Sequence, residues 1–184
     1  MNATRRQWLG TCLSMAAWPE VLAARQHAHN MAAQPSAARL ETLDAQTASE
    51  IDAIAAQIIP STGGSGAREA GVIFFIDRAL STFAADQREA YSKGLADLQT
   101  KRRELFPASA SIASLTSEQQ IALIRAIEKT DFFELLRIHT VLGFLGDPSY
   151  GGNRDKLGWR AIGFDDRMAW QPPFGYYDAE ETAK

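Results

Sequence analysis

Apolar residues recur at intervals of three and four along most of the chain, which is the spacing of one face of an α-helix. Proline, glycine and polar capping residues interrupt this spacing and divide the chain into separate helices. Five helices are predicted: residues 48–59, residues 67–84, a segment that starts at Asp86, a segment that starts after Thr116, and residues 132–145. No useful length of alternating apolar and polar residues indicates a strand. The fold class is therefore all-α, a single small helical bundle of about five helices.

The second and fifth helices indicate where the core lies. One face of the second helix carries the apolar residues Val72, Phe75, Ile76, Ala79, Leu80 and Phe83. Such a face packs against a core. The fifth helix, residues 132–145, is apolar nearly all round, so we expect it at the centre of the bundle. Capping boxes are predicted at two helix starts, Thr47 with Glu50 and Thr116 with Gln119.

A glycine-rich, aromatic loop over residues 143–164 follows the fifth helix, and we expect it to be ordered but neither helical nor extended throughout. Asp147 before Pro148 favours a turn, and Asn153 after two glycines tolerates a positive φ. Seven aromatic residues lie from this turn onward: Tyr150, Trp159, Phe164, Trp170, Phe174, Tyr176 and Tyr177. A loop of this composition either packs on its own domain or contacts a partner.

Composition excludes several classes of function. The chain has 184 residues, 46% of them hydrophobic, which suits one domain with a short appendage. A net charge of −3 shows no overall basic character, so no nucleic-acid partner is expected. Cys12 is the only cysteine, so the chain forms no internal disulfide and holds no covalently attached haem.

The N-terminus has the form of a twin-arginine export signal. Arg5 and Arg6 are followed by one spacer and then by Trp8 and Leu9, which open an apolar run too short to span a membrane. The predicted organisation is a signal peptide over residues 1–24, a linker over residues 25–43 and a helical domain over residues 44–184. The alternatives are a chance arginine pair before an amphipathic helix and lipid attachment at Cys12.

Catalytic and cofactor motifs are absent from the sequence, including a dinucleotide loop, a nucleophile elbow and a helical zinc site. His139, within the apolar fifth helix, is interpreted as a hydrogen-bonded core or boundary histidine. The glycine-rich residues 61–66 favour a surface loop over a phosphate site. Acidic and basic residues of the aromatic loop either brace it or form the polar rim of an interface. No catalytic, cofactor-binding or metal-binding residue is predicted.

The sequence resembles the gluconate 2-dehydrogenase subunit 3 family, the small or gamma subunit of a bacterial dehydrogenase. The resemblance runs through residues 55–60, residues 66–77 and residues 132–144. Its most specific part is the motif Asp147-Pro148-x-Tyr150-Gly151-Gly152-Asn153, followed by Gly158-Trp159 and Ile162-Gly163-Phe164. The twin-arginine N-terminus is also typical of this family.

The resemblance implies a non-catalytic partner of a large flavoprotein of the glucose-methanol-choline (GMC) type. That partner would bind FAD, oxidise a sugar, sugar acid or glycoside, and pass electrons to a multihaem cytochrome c. The small subunit would escort it through the twin-arginine (Tat) translocase to the periplasm and stabilise it there, possessing no cofactor of its own. The predicted interface loop covers residues 146–177, and the predicted contacts are Phe144, Pro148, Tyr150, Asn153, Trp159, Phe164 and Trp170.

Two other functions remain open. In the first, the chain is a stand-alone periplasmic sugar-binding protein or enzyme that uses the loop over residues 147–164, with Tyr150, Asn153, Asp155 and Trp159 as sugar-contacting groups. In the second, the aromatic loop joins copies of this chain into a homo-oligomer.

Overall fold

The computed structural model describes residues 39–167, and this range contains six α-helices and no β-strand. They are α1 (Ala45–Ile58), α2 (Val72–Ser81), α3 (Arg88–Leu105), α4 (Ser117–Ile127), α5 (Asp131–Leu145) and the short α6 (Leu157–Ala161). The all-α prediction is confirmed, since the five predicted helices are all present. The export signal, most of the predicted linker and Trp170 lie outside the described residues.

Helix α2 is the most deeply buried helix of the bundle. Seven of its ten residues are buried, and it packs between α1 and α5. Helix α5 contacts α1, α2, α3 and α6, as expected of a central helix, but it is not enclosed on all sides, because Ile138 is 42% exposed and Leu142 is 48% exposed. Among residues 39–167, an apolar helix surface therefore remains exposed on this side of the domain.

The starts of the helices follow local capping chemistry, with two corrections. The Thr116 and Gln119 capping box is confirmed at α4. Helix α1 starts earlier than predicted, because Asp44 and not Thr47 is its cap: the Asp44 carboxylate accepts hydrogen bonds from the backbone and hydroxyl of Thr47. Asp86 caps no helix, because it lies in a 3₁₀ turn before α3.

Helix α2 is also shorter than predicted at both ends. Residues 67–71 form turns, and Gly71, with φ of 67°, precedes the first helical residue. At the other end the helix stops at Ser81, and the chain turns so that the backbone N–H of Ala84 donates to the carbonyl of Ala79. Phe83 therefore leaves the helical face on which it was predicted.

Asp77 attaches the segment before α1 to the bundle. Its carboxylate, which is 1% exposed, accepts hydrogen bonds from three consecutive backbone N–H groups, those of Glu41, Thr42 and Leu43, at 2.5, 2.9 and 2.7 Å. The C-terminal bound of the predicted linker over residues 25–43 was thus placed too late, because residues 41–43 belong to the folded domain.

Candidate partner-docking surface

The aromatic loop is held against the C-terminal end of α5 by two close backbone contacts. A Cβ atom at position 152 would lie 2.1 Å from the carbonyl oxygen of Gly143, and one at position 158 would lie 1.8 Å from that of Phe144. Glycine is required at both positions because a side chain would collide with backbone. The loop is ordered as predicted, but it is more helical than expected, since it includes two 3₁₀ turns and α6.

Asn153 fastens the loop from within. Its side-chain nitrogen donates to the carbonyl of Gly146 at 2.8 Å, and its side-chain oxygen accepts from the backbone N–H of Gly158 at 2.9 Å. The residue has a φ of 46° and is fully buried, which suits asparagine, a residue that tolerates the left-handed region. Phe144, 6% exposed, is also covered by its own domain. These two predicted contact residues therefore support the loop and do not present their side chains to a partner.

Trp159 connects the loop to α5. Its indole nitrogen donates to the carbonyl of Leu145 at 2.6 Å, and its ring packs edge-on against Phe164 with ring centroids 5.3 Å apart. Trp159 is half-buried, whereas Phe164 is 49% exposed and the neighbouring Ile162 is 62% exposed. The tryptophan thus fixes the position of Phe164, an apolar side chain that faces solvent.

Tyr150 and Phe83 form a second exposed aromatic pair. Their rings meet edge-on with centroids 6.4 Å apart, and they are 53% and 61% exposed. Phe83 also lies 6.2 Å from the buried ring of Phe75, which joins the pair to the core. Tyr150 follows the half-buried Pro148 in a 3₁₀ turn, and Asp147 caps that turn by accepting from the backbone N–H of Ser149.

We use the name docking surface for the exposed apolar side chains of α5, of the aromatic loop and of the segment after α2, three neighbouring parts of the fold. They are Phe83, Ile138, Leu142, Tyr150, Ile162 and Phe164. Two of them, Tyr150 and Phe164, were among the predicted contacts. Ile138 and Leu142 were missed, although the apolar character of all sides of α5 was a usable signal for a partner-facing helix. Phe83 was missed because it was assigned to the core.

Ion pairs brace the charged part of the loop. Lys156 lies 2.5 Å from Asp166, and Arg167 pairs with Asp165. The guanidinium of Arg154 lies 4.4 Å from the ring centre of Phe74, and its backbone N–H donates to the carbonyl of Ala70. These contacts favour the interpretation that the loop charges stabilise its conformation.

His139 is a buried structural residue, as predicted. Its Nδ1 lies 2.9 Å from the phenol oxygen of Tyr91, and the two rings stack. Burial lowers the pKa of His139. Within residues 39–167 no group of three or more histidine, cysteine or acidic residues is placed to hold a metal, and no helix there has the length and apolar character needed to cross a membrane.

Two clefts, of about 460 and 250 Å³, are lined by residues of α1, α2, α3 and the segments beside them. No residue of the loop over residues 147–164 lines either cleft. These two clefts therefore give no support to a sugar site at the loop.

The family model described as gluconate 2-dehydrogenase subunit 3 matches residues 45–166, from the start of α1 to the end of the aromatic loop. This match confirms the resemblance found in the sequence. Neither the search of curated proteins nor the search of solved structures found a significant match.

Proposed function

The chain belongs to the gluconate 2-dehydrogenase subunit 3 family, and from this premise we propose that it is a non-catalytic accessory subunit of a periplasmic dehydrogenase complex. The catalytic partner in this proposal is an FAD-dependent flavoprotein of the GMC type that oxidises a sugar or sugar acid. A multihaem cytochrome c that accepts the electrons is a further partner. Both cofactors, FAD and haem c, belong to those partner chains.

The observation that carries the proposal is the docking surface. Large apolar side chains exposed on neighbouring elements of a domain are characteristic of an interaction site. Those on the aromatic loop project from a rigid support, because Asn153 and Trp159 fix the loop to α5. A preorganised surface loses little conformational entropy when a partner binds. Aromatic anchors of this kind contribute a large share of the binding energy at interfaces.

The second part of the proposal is that the chain escorts its partner during export. Arg5 and Arg6 form a twin-arginine signal, and the Tat translocase transports folded proteins. A flavoprotein without a signal of its own would reach the periplasm only when bound to this chain. The same contact would stabilise the flavoprotein after export.

Purification of a tagged full-length chain from its native host tests the accessory role. We expect an FAD-containing large subunit to co-purify and to confer sugar or sugar-acid oxidation on the preparation. If the chain purifies alone and oxidises sugars by itself, the proposal is wrong. If it purifies alone and light scattering shows a stable homo-oligomer, the self-assembly hypothesis replaces it.

Replacement of Arg5 and Arg6 by lysine tests the escort role. We expect both this chain and the flavoprotein to remain in the cytoplasm, as measured by fractionation. Replacement of Arg125 by lysine is the matched control, because it makes the same change at an exposed position of α4, outside the export signal. If the flavoprotein is exported normally in cells that produce the Arg5 and Arg6 variant, the escort role is excluded. The accessory role would then still stand.

A further inference from the structure

Arg78, in the last turn of α2, contacts the aromatic loop and the segment before α1 at the same time. Its Nη1 atom donates a hydrogen bond to the carbonyl of Ser149 at 2.6 Å. Its Nε atom lies 3.9 Å from one carboxylate oxygen of Glu41, and the other oxygen accepts from the hydroxyl of Ser81 at 2.9 Å. The guanidinium group therefore connects two parts of the domain that are far apart in the chain.

The segment before α1 is a firm support for Arg78 because it is itself attached to α2. The buried carboxylate of Asp77, the residue before Arg78, accepts hydrogen bonds from the backbone N–H groups of residues 41–43. Both the backbone and the side chain of Glu41 are thus bound to α2. An ion pair at 3.9 Å between half-exposed groups is weak by itself, so its effect is to orient the guanidinium rather than to stabilise the domain.

The carbonyl of Ser149 belongs to the 3₁₀ turn that carries the ring of Tyr150. Two residues after Ser149, the chain comes so close to α2 that a Cβ atom on Gly151 would lie 3.0 Å from the carbonyl oxygen of Phe74. Phe74 and Arg78 are about one helical turn apart on α2. The turn is therefore held along this helix at two points, by close packing at Phe74 and by a hydrogen bond at Arg78.

The orientation of the Tyr150 ring depends on this support. The ring is 53% exposed, and it meets edge-on the ring of Phe83, which is itself 61% exposed. A contact between two exposed rings adds only modestly to stability. A hydrogen bond from a charged donor is stronger than one between neutral groups, and here it fixes the backbone from which the ring projects.

We propose that Arg78 is a positioning residue for the docking surface. It holds the turn so that Tyr150 stays against Phe83, and the two rings together form one preformed aromatic anchor for the flavoprotein partner. The residues that follow the predicted linker support this anchor through the contact of Glu41 with Arg78. This inference rests on the proposed function, because it concerns the binding of that partner.

Nuclear magnetic resonance of the isolated full chain, with ¹³C-labelled tyrosine and phenylalanine rings, tests the positioning without the partner. Arg78→Met removes the hydrogen-bond donors but keeps a flexible apolar side chain. We expect it to abolish the nuclear Overhauser effect between the rings of Tyr150 and Phe83, which Tyr150→Phe serves to assign. Arg68→Met is the matched control, because Arg68 is an exposed arginine that also joins two parts of the domain, through Asp52 of α1 at 2.8 Å. This variant should keep the ring contact.

Binding of the partner tests whether Arg78 acts through Tyr150. The probe is the FAD-containing large subunit that co-purifies with the tagged chain. Arg78→Met should weaken its binding about tenfold, and Tyr150→Ala about thirtyfold. If Arg78 acts by positioning the ring, the variant that combines both changes should bind no more weakly than Tyr150→Ala alone. Circular dichroism melting of each variant measures its folded fraction.

Two results would overturn the inference. The first is an unchanged ring contact in Arg78→Met, which would show that the turn keeps its place without the guanidinium. The second is a combined variant in which the two losses of binding multiply, which would show that Arg78 acts independently of Tyr150. If no large subunit binds the unmodified chain, the proposed function fails, and the ring contact in the isolated chain still decides whether Arg78 positions Tyr150.

Discussion

The phenol oxygen of Tyr91 lies 2.9 Å from Nδ1 of His139, and this hydrogen bond joins α3 to α5 in the interior. Burial raises the pKa of the Tyr91 phenol and lowers the pKa of the His139 imidazole. Both groups are therefore held in their neutral forms, in which one can donate and the other accept. The pair fixes how α5 lies against α3 and hence where the docking surface is presented.

The lowered pKa of His139 predicts that the protein is less stable in acid. The unfolded chain binds the proton with the ordinary pKa of 6.5, whereas the folded protein binds it only at lower pH. Unfolding therefore takes up a proton, and the free energy of unfolding decreases as the pH falls below about 6.5. Urea denaturation at a series of pH values measures this slope.

His139→Asn is the control for this prediction, because asparagine can accept the Tyr91 hydrogen bond but does not titrate. The variant should be less stable than the unmodified chain at neutral pH. Its free energy of unfolding should then decrease less on acidification than that of the unmodified chain. If its decrease between pH 6.5 and about pH 5 equals that of the unmodified chain, another group causes the acid sensitivity.

Asp77→Asn is expected to destabilise the domain by about 2 kcal/mol, because the carboxylate accepts three backbone hydrogen bonds and an amide can accept only part of them. Hydrogen exchange at residues 41–43 should accelerate more than exchange in α2. Asp97→Asn, at an exposed carboxylate of α3, is the matched control and should change the free energy of unfolding by less than about 0.5 kcal/mol. Equal effects of the two variants would contradict a special role for Asp77.

The helices could be predicted from the sequence because their signals are local. Spacing and capping placed α4 and α5 correctly, and the Thr116 capping box needed no information from elsewhere in the chain. At α1 two caps competed within four residues, and Asp44 prevailed over Thr47. That error concealed Glu50, which was assigned to a capping box but lies buried beside Ile112.

The site was harder to predict because exposure depends on tertiary contacts. The composition of the loop indicated that it packs on its own domain or contacts a partner. No local pattern, however, distinguishes Asn153, which is fully buried, from Tyr150, which is 53% exposed. Phe83 continued the apolar spacing of α2, and no glycine or proline marked the end of that helix at Ser81. The sequence thus predicted the helices and the importance of the loop, but not which side chains face outward.

Gly158→Ala is expected to displace the aromatic loop and to destabilise the domain by about 2 kcal/mol or more, because the new Cβ would lie 1.8 Å from the carbonyl oxygen of Phe144. Equilibrium unfolding and hydrogen exchange across residues 147–164 measure both effects. Arg160→Ala, in the same short helix and exposed, should change stability by less than about 0.5 kcal/mol. If the Gly158→Ala protein is fully stable and hydrogen exchange in the loop is unchanged, the close approach of residue 158 to α5 is not required.

The docking surface predicts that partner binding can be lost without loss of folding. Leu142→Asp places a charge on the outer face of α5, where the side chain is 48% exposed, so the isolated domain should keep its stability within about 1 kcal/mol. In a complex the same charge would be buried without a partner, and its desolvation opposes binding. Tyr150→Ala should weaken the complex by about 2 kcal/mol, roughly thirtyfold, if the ring is an anchor. Co-purification of the proposed flavoprotein partner with each variant measures both losses of binding.

Ile121→Asp is the matched control for the docking surface. Ile121 is 41% exposed on α4, so it presents a similar apolar side chain outside the docking surface. The variant should retain the flavoprotein at the level of the unmodified chain. If Ile121→Asp abolishes co-purification while Leu142→Asp and Tyr150→Ala do not, the flavoprotein binds α4, and the side of the domain formed by α5 and the aromatic loop serves another purpose. If co-purification is lost only in Leu142→Asp and Tyr150→Ala, the flavoprotein binds α5 and the loop. This conclusion follows because the three replaced side chains have similar exposure and differ in position.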